Sequence, residues 1–181
     1  MRSLILGLAA TAALVAACTG VSAEPGSYAA QRSIVRNDDG VQLELAVDRH
    51  AFDAGEPLAL TTTLTYLGPR DVIHVDGSGE SLVLHTIREW IGDRDQEVGF
   101  NLDCSSWELR RGEPMDIPLR FDGSWSSNGA DAEFWRTFFS APAPVLPSGT
   151  WMVDAVARYY PMANCDGGER LMTASLVIDV R

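Results

Sequence analysis

Hydrophobic and polar residues alternate along most of the chain. Val41, Leu43, Leu45 and Val47 alternate with alanine or polar neighbours, which is the pattern of a strand with one buried face. Similar runs follow, and turns containing glycine or proline separate them. The predicted strands are residues 41–47, 58–66, 72–75, 81–90, 115–121, 151–159 and 176–180. About seven short strands at this spacing predict an all-β fold, namely an antiparallel β-sandwich.

One connection, residues 123–145, is longer than a sandwich turn requires and is rich in aromatic residues. Four of these residues share one face of a predicted short helix, which Asp131 caps and the Pro-Ala-Pro sequence at 142–144 ends. The aromatic residues of the connection are Trp125, Phe134, Trp135, Phe138 and Phe139.

This aromatic helix has two interpretations. It is either a lid over the open end of the sandwich or a recognition surface for a glycan, a peptide or the interface of a bilayer. The lid is favoured, because four large aromatic side chains exposed together promote aggregation.

The chain begins with a predicted signal peptide, residues 1–17, whose apolar core covers residues 4–17. It ends in Leu-Val-Ala-Ala-Cys, which resembles the lipobox of bacterial lipoproteins. The resemblance implies cleavage before Cys18, acylation of Cys18 with chains such as palmitate, and a membrane partner for the anchored protein. Alternatively, Val-Ser-Ala at 21–23 permits cleavage after Ala23 and secretion.

The remaining chain is predicted to be a flexible tether over residues 18–37 and one domain over residues 38–181. Cys104 and Cys165 are the two cysteines left to the domain. Because an exported protein folds in an oxidising compartment, these two residues are predicted to form a disulfide.

Composition and motifs exclude several functions. All 14 basic residues are arginine, and 25 acidic residues give a net charge of −11, which argues against nucleic acid as a partner. His50, His74 and His85 are scattered, and no Cys-x-x-Cys pair supports a metal site. His74 and His85 fall on predicted strands, where a sheet histidine with satisfied hydrogen bonds is expected. We find no motif for a cofactor and no nucleophile–base pair for an enzyme.

Three segments resemble turn motifs of the immunoglobulin-like modules of bacterial envelope proteins: residues 52–58, 109–113 and 146–151. Trp151 stands where such modules usually have a tyrosine, so its indole N–H is the expected hydrogen-bond donor at that corner. The order of the segments is similar to that of the BsuPI-type proteinase-inhibitor domain. This resemblance implies an immunoglobulin-like sandwich over residues 41–160.

Two functional hypotheses follow. The first is a lipid-anchored, non-enzymatic binding or accessory module of the cell envelope, which binds a protein or an envelope polymer. The second comes from the BsuPI-type resemblance and is proteinase inhibition, for which residues 141–145 would offer an extended segment to a protease cleft.

Overall fold

A computed structural model of the chain describes residues 30–99, 101, 103–121, 123–124, 128–141 and 143–181. The predictions for the leader, for Cys18 and for Trp125 lie outside these residues. The described strands are β1 Gln31–Arg36, β2 Val41–Val47, β3 Ala51–Phe52, β4 Leu60–Tyr66, β5 Val72–Gly77, β6 Val83–Glu89, β7 Glu97–Val98, β8 Ser105–Arg110, β9 Pro114–Ile117, β10 Gly123–Ser124, β11 Gly149–Tyr159 and β12 Arg170–Val180. The helix α1 is Ala132–Ser140, and a 3₁₀ turn is Ala163–Cys165.

Most strands belong to two four-stranded sheets that pack face to face. The first sheet has the order β1-β2-β4-β9, and each of its neighbouring pairs is antiparallel. The second has the order β3-β12-β11-β6, in which the short β3 lies parallel to β12 and the other pairs are antiparallel. Side chains from both inner faces form one hydrophobic core. The all-β, sandwich-like fold predicted from the alternation is therefore confirmed.

The core side of the first sheet follows directly from the sequence of β2. Val41, Leu43 and Leu45 have no exposed surface, whereas the residues between them are half-buried. β4 lies beside β2 with Leu64 opposite Leu43, and both side chains enter the core. Full burial of each such aliphatic side chain contributes roughly 1.5–3 kcal/mol.

The second sheet is built on the hairpin of β11 and β12. The two strands pair along their whole length, from Gly149 opposite Val180 to Tyr159 opposite Arg170. β6 pairs with the other edge of β11. As a result β11 has hydrogen-bonded neighbours on both sides and forms the centre of the sheet.

Trp151 occupies the corner at the start of β11. Its side chain has no exposed surface, and its indole Nε1–H donates a hydrogen bond to the backbone oxygen of Pro147 at 3.1 Å. The buried indole therefore leaves no unpaired donor. The prediction that this N–H is the donor at the corner is confirmed.

β1 corrects the predicted boundary of the domain. The sequence predicts a tether over residues 18–37, but residues 31–36 form β1 and pair with β2. Ser33 Oγ also accepts a hydrogen bond from the backbone N–H of Ser175, which lies in the second sheet, at 3.1 Å. The sequence gives little indication of this strand, because Val35 is the one β1 side chain that packs against the described core.

β8 is a second strand that the alternation does not predict. It pairs with β5 in a separate two-stranded ribbon. Two backbone hydrogen bonds between Asp76 and Tyr160, of 2.7 and 2.9 Å, join this ribbon to the end of β11. Leu109 is the fully buried residue of β8, so its hydrophobic pattern is too short to indicate a strand.

A disulfide joins Cys104 to Cys165, the pair predicted from the sequence. It connects the residue before β8 to the 3₁₀ turn that follows β11. Both cysteines have a φ of 55°, a left-handed conformation that costs a non-glycine residue roughly 1–2 kcal/mol. Closing a loop across a sequence separation of 61 offsets this with about 4 kcal/mol in the chain-entropy treatment.

His85 is a polar residue between the two sheets. Its side chain has no exposed surface, its Nε2 lies 2.8 Å from Thr62 Oγ1, and its Nδ1 lies 3.1 Å from the backbone oxygen of Arg120. Burial lowers the pKa of His85 to about 4, against a smaller opposing effect of the Arg120 backbone. The expectation of a satisfied sheet histidine is confirmed at this position.

The buried His85 should make stability depend on pH. The unfolded chain binds a proton near pH 6.5, whereas folded His85 stays neutral until about pH 4. Because the unfolded state binds more protons between these values, the free energy of unfolding should fall as the pH is lowered, by about 3 kcal/mol from this group. Urea unfolding of the wild type and of His85→Gln across this range measures the difference. Equal pH dependence in the two proteins would contradict the assignment.

Candidate binding groove

The aromatic helix α1 packs against one end of the sandwich. Trp135 and Phe138 are each 4% exposed. Phe134 is half-buried and stacks on Trp151, with 5.7 Å between ring centroids, and half-buried Phe139 packs edge-on against Phe138 at 5.4 Å. These contacts match the lid interpretation. Trp135 and Phe138 are in the core and expose almost no surface to a partner.

Asp131 precedes α1, as predicted, but its side chain does not cap the helix. Its carboxylate instead lies 3.0 Å from Arg94 Nε in an ion pair. Arg94 also lies 3.6 Å from Glu89 and places its guanidinium over the ring of Phe134. The predicted capping role is therefore wrong, because this carboxylate connects α1 to the segment that follows β6.

That segment turns back on β6 as a short hairpin. The backbone N–H of Glu89 donates to the oxygen of Arg94 at 2.8 Å, and the N–H of Trp90 donates to the oxygen of Thr150 at 2.8 Å. At the tip, Trp90 is 53% exposed and Ile91 is 87% exposed. Neither residue belongs to a site predicted from the sequence, although two large apolar residues directly before Gly92 are a visible signal.

After the hairpin, the chain forms one wall of a groove on the outer face of the second sheet. The groove has a volume of about 540 Å³. Thr86 on β6 and Val156 on β11 are buried outer-face residues that line it. Asp95 and Gln96 line it from the hairpin side, and Leu171 lines it from β12. Three strands and a loop that are distant in sequence therefore build one concave surface.

Charged side chains of both signs line the groove around the buried Thr86 and Val156. Arg158 Nε donates to Glu169 Oε2 at 2.8 Å, and the Tyr160 hydroxyl donates to the same oxygen at 3.1 Å. Arg88 Nε lies 4.0 Å from Asp154 Oδ2, which is a long contact for an ion pair. The groove is therefore polar at its walls, and its charges largely balance.

Two buried polar atoms of the groove have no hydrogen-bond partner among the described residues: Gln96 Nε2 and Asp154 Oδ1. Gln96 is 4% exposed, and its Oε1 accepts from the backbone N–H of Ile87 at 3.3 Å. This contact fixes the orientation of the amide, so Nε2 is the side-chain atom that lacks a hydrogen-bond partner. Asp154 pairs in register with Thr86, and Gln96 lies on the other side of β6.

The described histidines and cysteines lie outside the groove. The described residues that line it include no histidine, cysteine or serine. Buried His85 faces the core, and exposed His74 lies on β5, outside the groove. Within the described ranges, no group of three or more His, Cys, Asp or Glu side chains is placed to hold a metal ion.

The segment predicted to enter a protease cleft is attached to the sandwich. Residues 143–145 are half-buried. Pro144 accepts a backbone hydrogen bond from Leu58, and neighbouring Leu146 accepts one from Gly55, both at 3.1 Å. The described part of residues 141–145 is therefore hydrogen-bonded to the sandwich and does not project as a loop. Proteinase inhibition stays a prediction, and no structural feature of this segment favours it.

In comparisons with known proteins, no protein-family model, no curated protein and no solved structure matches the chain. Function must therefore be argued from the groove and from the sequence.

In the part of the chain that the structure describes, no helix is both long and apolar enough to cross a bilayer.

The lid role of α1 predicts a large effect of Trp135→Ala. Removing a buried indole should lower the free energy of unfolding by about 3–5 kcal/mol. Trp90→Ala is the matched control, because half-exposed Trp90 should cost less than about 1 kcal/mol. Urea denaturation of both variants measures the difference. A Trp135→Ala protein as stable as the control would contradict the lid.

Proposed function

We propose that this protein is a lipid-anchored, non-enzymatic binding module of a bacterial cell envelope, built on an immunoglobulin-like sandwich. The groove over β6, β11 and β12 is the binding site in this proposal. The observation that carries it is the pair of buried atoms, Gln96 Nε2 and Asp154 Oδ1, that lack a hydrogen-bond partner within the described ranges.

Each unpaired buried polar group costs roughly 1–3 kcal/mol. A ligand recovers this cost when it displaces the side chains that cover these two atoms, accepts a hydrogen bond from Gln96 and donates one to Asp154. Arg88 and Glu169 add charged contacts at the walls, and exposed Leu171 adds an apolar one. This mixture suits a polar partner, which is a protein or an envelope polymer.

The sequence supports the anchor. The apolar run at residues 4–17 ends in a lipobox-like segment whose cysteine is Cys18. Acyl chains on Cys18 hold the protein at the membrane, since each buried CH₂ contributes about 0.8 kcal/mol. The folded domain begins by Gln31, so residues 19–30 connect anchor and domain. Cleavage after Ala23 would instead secrete the same domain.

One observation supports the immunoglobulin-like part of the proposal. The buried Trp151 donates its indole N–H to Pro147 at the sandwich corner, which agrees with the immunoglobulin-like turn motif in residues 146–151.

The anchor is tested by Cys18→Ser. In a bacterial host, the wild type should fractionate with the membrane and incorporate labelled palmitate, and Cys18→Ser should do neither. Cys104→Ser is the control, because it removes a cysteine without touching the lipobox and should keep the label. Retention of Cys18→Ser in the membrane fraction would contradict acylation at this residue.

The groove is tested by photocrosslinking in the native envelope. A photoreactive amino acid at Leu171, on the groove wall, should capture a partner, whereas the same group at Ile34, which is exposed on the first sheet, should not. Asp154→Val should lower the yield at Leu171 roughly tenfold, because a hydrogen bond to a charged group contributes about 1.5–3 kcal/mol.

Asp116→Val is the matched control, since Asp116 is an exposed carboxylate on β9 of the other sheet. It should leave the yield at Leu171 unchanged. Asp154→Val should also keep or raise the free energy of unfolding, because it removes an unsatisfied buried oxygen. Loss of crosslinking together with loss of stability, or equal yields in the two variants, would refute the groove as the binding site.

A further inference from the structure

Trp90 and Ile91 form an exposed apolar tip, and their exposure is built into the fold. Trp90 is fixed by the hydrogen bond from its N–H to Thr150, and the hairpin is closed by the bond from Glu89 to Arg94. The ion pair between Arg94 and Asp131 attaches the hairpin to α1. A fixed tip that presents two large apolar side chains to water is costly unless a partner covers them.

The topology places this tip at the end of the sandwich where the chain leaves for the predicted anchor. Gln31, at the start of β1, pairs with Val47 at the end of β2. The next strand, β3, pairs with the end of β12, which lies opposite the start of β11. Trp90 is hydrogen-bonded to Thr150 at that same start. Gln31 and Trp90 therefore lie at the same end.

An independent contact fixes the direction of β1. Asp39, just after β1, forms an ion pair with Arg170 at the start of β12, with 2.6 Å between Oδ2 and Nε. Ser33, inside β1, is bonded to Ser175, midway along β12. β1 therefore runs antiparallel to β12, and its first residue points toward the end that carries the hairpin.

We propose that Trp90 and Ile91 contact the headgroup–acyl boundary of the membrane leaflet that carries the lipid anchor. This inference rests on the proposed anchoring at Cys18. Residues 18–30 span at most about 45 Å when fully extended, so this end of the domain stays within that distance of the anchor. Tryptophan is favoured at this boundary because its ring is apolar and its N–H is polar.

Among the residues that the structure describes, this exposed apolar pair is the feature best suited to contact with a bilayer. A net charge of −11 opposes adsorption to anionic lipid headgroups by charge alone. Contact must therefore come from apolar insertion next to the anchor. With the tip on the bilayer, Leu171 and Glu169, near the opposite end of the second sheet, remain open to a partner.

The contact can be measured with vesicles of phosphatidylcholine whose acyl chains carry bromine, which quenches tryptophan fluorescence. The protein is the mature chain from Cys18, which contains every residue that the structure describes. Its Cys18 thiol is coupled to a maleimide phospholipid, because Cys104 and Cys165 are bonded to each other. Brominated lipid should quench the wild type, and Trp90→Phe should remove most of that quenching.

Ile91→Ser should reduce the quenching of Trp90 by weakening insertion. Met162→Ser is the matched control, because Met162 is an exposed apolar residue just beyond the far end of β11, and it should leave quenching unchanged. Unaltered quenching in Trp90→Phe, or equal losses in Ile91→Ser and Met162→Ser, would overturn the proposal. Either of these results is expected if the tip binds a protein and not the membrane.

The outcome is separate from that of the anchoring test. Coupling through the thiol supplies the lipid chemically, so the vesicle measurement does not depend on acylation by the cell. Failure of the palmitate labelling would refute the anchor in the proposed function, whereas failure of the quenching would refute only the membrane contact of Trp90 and Ile91.

Discussion

The register of β11 between β6 and β12 is the constraint on which the rest of the structure depends. In this register Val153, Ala155 and Ala157 face the core, while Asp154 and Arg158 face the groove. Because strand side chains alternate, a shift of the register by one residue would turn Asp154 and Arg158 into the core and expose the three apolar residues. The same hydrogen-bonded hairpin therefore fixes both the core and the candidate binding surface.

Burial also separates the aromatic residues into two roles. The aromatics of α1 stack on one another and on Trp151, so they stabilise the end of the sandwich. Trp90, by contrast, is held at a tip by backbone hydrogen bonds and remains half-exposed to solvent. An ion pair between Arg94 and Asp131 connects the two regions. The buried lid thus supports the exposed tip.

Sequence reasoning predicted the strands whose hydrophobic pattern is strong, such as β2 and β11, and it paired the two domain cysteines. It missed β1, because that strand is formed by pairing with β2 and places little apolar surface in the core. It also missed the groove, since Gln96 and Asp154 are 58 positions apart in the sequence and no motif connects them. Asp131 was predicted at the right place with the wrong partner, because Arg94 reaches it from another element.

The sequence by itself determined the all-β class, the inner faces of the main strands and the disulfide between Cys104 and Cys165. These depend on alternation and on cysteine number, which are local or compositional properties. Only the tertiary structure decided which aromatics are buried, where the groove lies and which end of the sandwich carries Trp90 and Ile91. Each of these depends on contacts between segments far apart in the chain, and such contacts leave no periodic signal in the sequence.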